Sequence, residues 1–485
     1  MTEQIIINKK DETHVKLSCD KGLLQELSDY FTFYVPGYKF MPSYRNKIWD
    51  GKIRLVNTNT HTIYKGLIKY IQKFCEDREY ECVLEDGLDE ISNISVPELE
   101  LFLKGLKYEP RDYQLRAIAH ALRNHRSLIL SPTASGKSFI IYCILKYLLQ
   151  HHCNKALVIV PTVSLVHQME TDFKDYTVTP GQMDYTHKIM SGQQKDSGEA
   201  RIVISTWQSI YKMPKKWFDQ FDVVIGDEAH LFKANSLINI LNKLAECKYR
   251  YGFTGTLDGT QTHKLVLEGL FGPVMKVIQT KELIESKTLA DFRIKAIVLK
   301  YPEEVCKEMK QAKYQDEIKF LVQNQKRNQF IKNLTISRKG NTLLLFQLVE
   351  KHGKVLYDLI NSNERKVFFI HGGVSAEERE EVRAITEKEE NAIIIASYGT
   401  FSTGINIRNL HNIIFASPSK SRIRNLQSIG RGLRKSETKS VATLYDIADN
   451  LSYKSYHNHT LKHFAIRIKM YNEEEFSYKL YNIGI

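Results

Sequence analysis

From about residue 125 the chain alternates short apolar, β-rich runs with longer stretches of helical periodicity, and it does so twice. The first set of runs is Ser127–Leu130, Ala156–Val160, Arg201–Ile204, Phe221–Ile225 and Tyr249–Phe253. The second is Thr342–Phe346, Lys366–Ile370, Ala392–Ala396, Asn412–Phe415 and Val441–Tyr445. Runs apolar throughout, rather than at every second residue, belong to strands covered on both faces. A helix between successive strands makes them parallel. The pattern predicts two tandem α/β parallel sheets from about residue 105 onward, joined near 280–300, where the strand pattern lapses. The lysine-rich segment 303–338 reads as helical, an exposed lead-in to the second sheet.

With 485 residues there is room for about three domains. The expected division is an N-terminal α+β domain at 1–95, a first lobe at 96–285, and a second lobe at 286–485 ending in a short helical extension. The N-terminal part is distinctive in its centre. Lys39, Arg45, Lys47, Lys52, Arg54, Lys65, Lys69 and Lys73 stand there against Asp50, with Tyr38, Phe40, Tyr44, Trp49, Tyr64 and Tyr70 interleaved. Cations and aromatic rings in that mixture suit phosphate contact and base stacking, although a solvated face over an aromatic core gives the same composition. The acidic stretch from Glu76 to Glu90 reads as leading toward a linker.

The formal net charge of +13 favours a polyanionic partner, nucleic acid before an acidic membrane or protein. Seven cysteines without a Cys-x-x-Cys pair read as free thiols in a reducing compartment. The first residues lack the apolar stretch of a signal peptide, and no apolar run is long enough to span a bilayer. The expected location is cytoplasmic, the host cytoplasm for a viral protein.

The strongest local signal is Ser131-Pro-Thr133-Ala134-Ser135-Gly136-Lys137-Ser138, between an apolar strand and an amphipathic helix. That context suits a phosphate loop, in which backbone N–H groups converge on phosphate at the positive end of a helix. Lys137 would reach the β- and γ-phosphates of ATP, and Ser138 would place its hydroxyl on Mg²⁺. The loop departs from the strict pattern, with Ser131 at the first glycine and Ala134 at another. A second strand ends in Asp227-Glu228-Ala229-His230. Paired carboxylates there suit a metal-bound nucleotide, with Asp227 holding Mg²⁺ and Glu228 orienting and deprotonating the attacking water.

These two motifs resemble those of superfamily 2 helicases and translocases, and the remaining family motifs fall in order. The resemblance implies two RecA-like lobes and ATP-driven movement along a nucleic-acid strand. It implies that Gln114, Tyr108 and Arg111 grip adenine. Thr162 in Pro161-Thr162, Thr206 in Ser205-Thr206-Trp207-Gln208, and Thr400 would contact the strand. Thr254-Gly255-Thr256 stands where the family couples hydrolysis to movement. In the second lobe, Gly404 and Asn406 belong to Ser402-Thr403-Gly404-Ile405-Asn406, and Arg431 and Arg434 to Gln427-Ser-Ile-Gly430-Arg431-Gly432-Leu433-Arg434. The family's two arginines reach the γ-phosphate, where a guanidinium can fork two hydrogen bonds.

About fifty residues follow the last motif, which leaves no room for the large C-terminal domains of RNA-processing relatives. Taken whole, with Tyr34-Val-Pro-Gly-Tyr-Lys-Phe-Met-Pro42 and Trp49-Asp-Gly-Lys52, the chain resembles the recombination and repair helicases of T-even bacteriophages. That resemblance implies 3′-to-5′ remodelling of Holliday junctions, stalled forks, D-loops and RNA–DNA hybrids in R-loops. A monomer meets this expectation, and protein partners are not legible. Alternatives are an RNA helicase, a restriction translocase, and a non-catalytic nucleic-acid scaffold. Against the restriction reading, Asp77-Arg-Glu79-Tyr-Glu81 lacks the following lysine of a metal-dependent nuclease core.

Overall fold

A computed structural model of the chain describes residues 3–88, 91–177, 186–190, 195–232, 234–361, 364–407 without 405 and 406, 409–433 and 439–485. It divides into two compact units, Met1–Ile278 and Gln279–Ile485.

The first unit begins with a small mixed sheet. Strands β1 (Gln4–Lys9) and β2 (His14–Ser18) precede a two-stranded ribbon of β3 (Thr32–Tyr34) and β4 (Lys52–Arg54), and β5 (Thr62–Tyr64) and β6 (Glu81–Leu84) complete the set. The four-stranded sheet has the order β5-β2-β1-β6. Within the acidic stretch, β6 pairs in parallel with β1 from Gln4↔Glu81 to Ile7↔Leu84, so these four residues belong to the sheet.

Seven parallel strands follow in the same unit: β7 (Arg126–Leu130), β8 (Ala156–Val160), β9 (Thr186–Ile189), β10 (Ile202–Thr206), β11 (Val223–Asp227), β12 (Tyr249–Thr254) and β13 (Val274–Lys276). Their order is β13-β7-β12-β11-β8-β10-β9. The strands β8, β10, β11 and β12 are buried at every residue, as continuous apolar runs require. The edge strands β9 and β13 carry no such run, since an edge does not require one, and both are only partly buried.

The two parts of this unit share one hydrophobic cluster, from Ile5 in β1 to Phe271 behind β13. Their seam is specific as well as apolar. A Cβ on Gly66 would overlap the Glu268 carbonyl, and one on Gly269 would press on the Tyr64 ring. Glu12 is the polar centre of the seam: its amide donates to the Ala245 carbonyl at 2.7 Å, and its carboxylate meets Lys9, Lys65 and Arg126. Tyr70 donates to Glu268 across the same seam at 2.7 Å.

The second unit holds another seven-stranded parallel sheet: β14 (Asp291–Lys300), β15 (Thr342–Phe346), β16 (Val367–Ile370), β17 (Ile393–Ser397), β18 (Asn412–Phe415), β19 (Val441–Asn450) and β20 (Tyr478–Gly484), in the order β16-β17-β15-β18-β19-β14-β20. The expected lapse at 280–300 is not observed. Strand β14 pairs along its whole length with β19, but exposed Asp291 and Arg293 break its apolar run. Nor is 303–338 an exposed lead-in: its helices Glu303–Glu308, Tyr314–Gln323 and Gln325–Ile336 bury Cys306, Leu321, Val322 and Ile331. Two fully buried ion pairs, Arg327–Asp449 and Arg467–Asp446, tie surrounding helices to β19. Removing one partner of such a pair leaves an uncompensated charge and costs about 3–5 kcal/mol. The helix His459–Glu473 is followed by β20, so the end of the chain adds a strand to the sheet.

Candidate nucleotide site and nucleic-acid interface

In parallel α/β sheets ligands gather beyond the carboxyl ends of strands, and most of the chemically loaded residues lie there. The loop after β7 runs from Ser131 to Gly136 and enters the helix Lys137–His151. Its position is fixed by the Ser131 amide, which donates to the Thr254 carbonyl at the end of β12 at 2.9 Å. The departures from glycine are accommodated differently. Ser131 is buried, and its hydroxyl lies 2.5 Å from that of Ser135, which donates in turn to the Pro132 carbonyl at 2.7 Å. The serine thus staples the turn. Ala134 keeps the left-handed backbone of a glycine, with φ of 66°, and stores strain. Gly136 also has positive φ, 81°, and a Cβ there would overlap the Gln114 amide. Thr133 is half-buried in this turn.

Beneath the loop Lys137 Nζ lies 2.6 Å from Asp227 Oδ1 and 3.1 Å from Glu228 Oε1. Glu228 has φ 51° and ψ 51°, a left-handed conformation that turns its side chain back toward the loop's lysine. Its second oxygen meets His230 Nδ1 at 3.2 Å, and that nitrogen also lies 3.0 Å from the Thr254 hydroxyl. Thr254 donates to the Thr256 carbonyl at 3.0 Å. A continuous polar chain therefore runs from phosphate loop to the Thr254-Gly255-Thr256 turn. His230 was visible in the sequence as the fourth residue of its quartet, but its bridging position was not.

Burial alone would lower the Lys137 ammonium, but the two carboxylates outweigh it and raise its pKa. Burial lifts Asp227 above the usual carboxylate range, against the pull of Lys137. Burial pushes Glu228 the same way, yet Lys137 and His230 outweigh it and hold that carboxyl low.

The donors Asp227 and Ser138 fit Mg²⁺, a hard cation that is held through one or two carboxylates plus phosphate and water. The Ser138 hydroxyl lies 2.8 Å from that of Tyr176, whose ring sits edge-on to Tyr108, Phe139 and Tyr142. Burial pushes the Tyr176 phenol up to about 12. Nothing local in the sequence marked Tyr176, which comes from the far end of another helix. Gln114 is buried: its carbonyl accepts from the Arg111 amide at 2.9 Å, and its NH₂ donates to the Ser135 carbonyl at 2.9 Å. Exposed Tyr108 donates to Asp175, and Arg111 donates to the Tyr113 hydroxyl. Gln114, Tyr108 and Arg111 thus lie on the flank of the loop.

The expected strand contacts differ in accessibility. Thr162 caps the helix Val163–Tyr176 and accepts from the Leu165 amide. Thr206 is buried, 2.9 Å from the Ser209 hydroxyl. Thr400, in the helix Tyr398–Gly404, is buried and accepts from Ser397 at 2.8 Å. Arg431 lies in the helix Arg422–Gly432, its guanidinium 5.6 Å from the Phe401 ring. Asn406 and Arg434 fall outside the described residues, as does all but the backbone of Gly404.

In the N-terminal domain Lys39, Arg45 and Lys47 are exposed and Lys52 is half-buried, while Arg54 pairs with Asp50. The aromatic set separates. Tyr64 and Tyr70 belong to the seam with the first large sheet. Tyr34 stacks on Tyr38 at 4.6 Å, and Tyr38 meets Tyr44 edge-on at 4.7 Å. Phe40 stays exposed.

Three family models match along the chain: the N-terminal domain of the DNA helicase UvsW over residues 4–85, the res subunit of type III restriction enzymes over 107–259, and the helicase conserved C-terminal domain over 325–436. The chain is 35% identical over 504 residues to the ATP-dependent DNA helicase uvsW of Enterobacteria phage T4, covering 99% of this chain and 100% of that protein. The crystal structure of T4 UvsW matches 99% of both chains at 33% identity with a TM-score of 0.53. A DNA 3′-5′ translocase, XPB2 of Sulfurisphaera tokodaii, is 26% identical over 48% of this chain and 49% of its own length. Fold and likeness together define a superfamily 2 helicase with two RecA-like lobes, an enzyme that uses ATP and binds nucleic acid. Within that class the chain belongs to the UvsW family of ATP-dependent DNA helicases.

Proposed function

We propose that this helicase remodels branched DNA in recombination and repair: it migrates Holliday junctions, regresses stalled forks, and unwinds D-loops and R-loops. The observation that carries the reading is the docking of a basic, aromatic N-terminal domain onto the lobe that holds the phosphate loop, through one shared core. A grip on duplex arms and an ATP site built on one compact unit can move together. The full-length likeness to UvsW supports the same reading. Base pairs broken ahead are replaced by pairs formed behind, so branch migration is nearly balanced, and the motor supplies direction. The 3′-to-5′ direction is proposed on the likeness to UvsW and to a translocase whose name carries that polarity. The working parts are 1–95, 96–285 and 286–485, acting in the host cytoplasm.

Lys137 and the backbone of Ser131–Gly136 bind the phosphates, and Gln114, Tyr108 and Arg111 hold adenine. Asp227 and Ser138 would hold Mg²⁺, which supplies charge neutralisation at the phosphates. Glu228, kept ionised, orients the attacking water and takes its proton. His230 relays the state of Glu228 to Thr254 and so to the strand-binding turns. By likeness to the family, Arg431, Arg434, Gly404 and Asn406 of the second lobe would act on the nucleotide, and Thr162, Thr206 and Thr400 would act on the strand.

Steady-state ATP turnover tests the reading with no nucleic acid, single-stranded DNA, duplex, four-way junction and an RNA–DNA hybrid loop. Stimulation greatest on branched DNA is expected. Stimulation by RNA alone would move the enzyme among RNA helicases.

A further inference from the structure

The ribbon β3–β4 carries residues 35–51 between its strands, and this excursion is built in an unusual way. Its inside is ordered. The Val35 amide donates to the Gly51 carbonyl at 2.9 Å, the Trp49 indole donates to the Lys52 carbonyl at 2.8 Å, and the Ile48 amide donates to the Ser43 carbonyl at 2.9 Å. Gly51, with φ of 81°, lets the Tyr38 ring lie directly on the backbone, where any Cβ would overlap it. The stack of Tyr34, Tyr38 and Tyr44 completes this support.

On that support two large apolar side chains are left in water. Phe40 is 76% exposed and Ile48 is 79% exposed, with Met41 at 36% beside Phe40 in sequence. Scattered apolar residues on a surface need no explanation, but two so open, on a segment with its own packed aromatics, do. Their surroundings specify the occupant. Lys39, Arg45 and Lys47 are exposed on the same excursion, and Lys52 sits 5.1 Å from the Tyr34 ring. Cations flanking exposed apolar side chains match the two parts of a nucleic acid: phosphates outside, base faces within. Proteins that bend or open a duplex use such apolar wedges between base steps, anchored by basic residues.

We infer that Phe40 and Ile48 form a wedge that enters the duplex at a branch point and separates its first base pair. Lys39, Arg45 and Lys47 hold the flanking phosphates. The inference rests on the proposed action on branched DNA and adds the residues that open it. The aromatics Tyr38, Tyr44 and Trp49 hold the wedge rather than stack on bases. Ile48 carries no aromatic or charged signal, so only its exposure reveals it.

The test uses the full-length protein and a forked DNA with 2-aminopurine at its first paired position. Without ATP, wild type is expected to raise the fluorescence at the branch point, and Phe40→Ala/Ile48→Ala to abolish the rise. With ATP, the double variant is expected to separate roughly tenfold to a hundredfold fewer base pairs per ATP hydrolysed, the equivalent of losing a few kcal/mol of unstacking. Phe40→Trp, which keeps an aromatic face, is expected to retain opening. Equal opening and equal unwinding per ATP by the double variant would overturn the wedge while leaving the helicase reading intact. Failure of wild type to unwind any branched DNA would overturn both. Sedimentation of the free proteins adds a further outcome: loss of a dimer in the double variant, with unwinding unchanged, would overturn the wedge by showing that a second copy covers these residues.

Discussion

Lys137 Nζ stands 2.6 Å from the Asp227 carboxylate, so the lysine of the phosphate loop and the acid that ends β11 form a direct ion pair. Phosphates would enter by competing for that ammonium, which releases Asp227. Lys137→Ala removes both the phosphate ligand and the counter-charge of two adjacent carboxylates. ATP turnover is expected to fall by at least roughly 10²–10³-fold, the scale of losing one preorganised charge partner. DNA affinity at fixed salt should be retained, as measured by fluorescence anisotropy with a junction. Loss of DNA binding in the folded variant would contradict the division of labour between loop and N-terminal domain.

Ala134 is held at φ 66° in a loop where the strict phosphate-loop pattern has glycine. A left-handed residue with a Cβ costs about 1–2 kcal/mol, and the extra freedom of glycine in the unfolded chain offsets part of that. Ala134→Gly is expected to raise the stability of the nucleotide-free protein by about 0.5–1 kcal/mol with turnover retained. A denaturation midpoint that moves downward would show that Ala134 is not strained.

The seam between the N-terminal domain and the first lobe should depend on pH through Glu12. Burial alone would raise its carboxyl, but Lys65, Lys9 and Arg126 overcome this and bring it down from 4.5 to about 2. A folded-state pKa below the unfolded one contributes stability above the unfolded value, and that stability is lost as pH falls through the folded value. Glu12→Gln is expected to lower unfolding free energy by roughly 3 kcal/mol at pH 7. The gap to wild type should close between pH 4.5 and about 2. Equal stability of the two proteins at pH 7 would contradict the role given to this carboxylate.

Much of this architecture was legible from hydrophobic pattern, because central strands buried on both faces must be apolar at every residue. Strands β8 and β15 have the residue limits expected for them. What the pattern hid were strands with one open face or charged beginnings, β9, β13, β14 and β20. The phosphate loop and the Asp227–Glu228 pair were legible because their chemistry sits in contiguous residues. Tyr176 against Ser138, and the buried Arg327–Asp449 pair, were not, since they join distant segments without a spacing rule. The N-terminal aromatics show the same limit. Composition grouped them, and only packing separates Tyr64 and Tyr70 at the seam from exposed Phe40.

The basic excursion should govern the salt dependence of binding. Neutralising Lys39, Arg45, Lys47 and Lys52 is expected to weaken junction binding. The slope of log affinity against log salt should flatten by roughly 0.9 for each phosphate that is no longer neutralised. Arg54→Ala should do less, because Asp50 already neutralises that guanidinium. An unchanged slope in the fourfold variant would make these residues a solvated face.

The most direct measurement is conversion of a four-way junction with mobile arms into two duplexes, followed by fluorescence transfer between labelled arms. Wild type is expected to convert it with ATP, and neither wild type with a non-hydrolysable analogue nor Lys137→Ala with ATP should do so. A wild-type protein that hydrolyses ATP on single-stranded DNA yet leaves the junction intact would contradict a branched-DNA remodelling function.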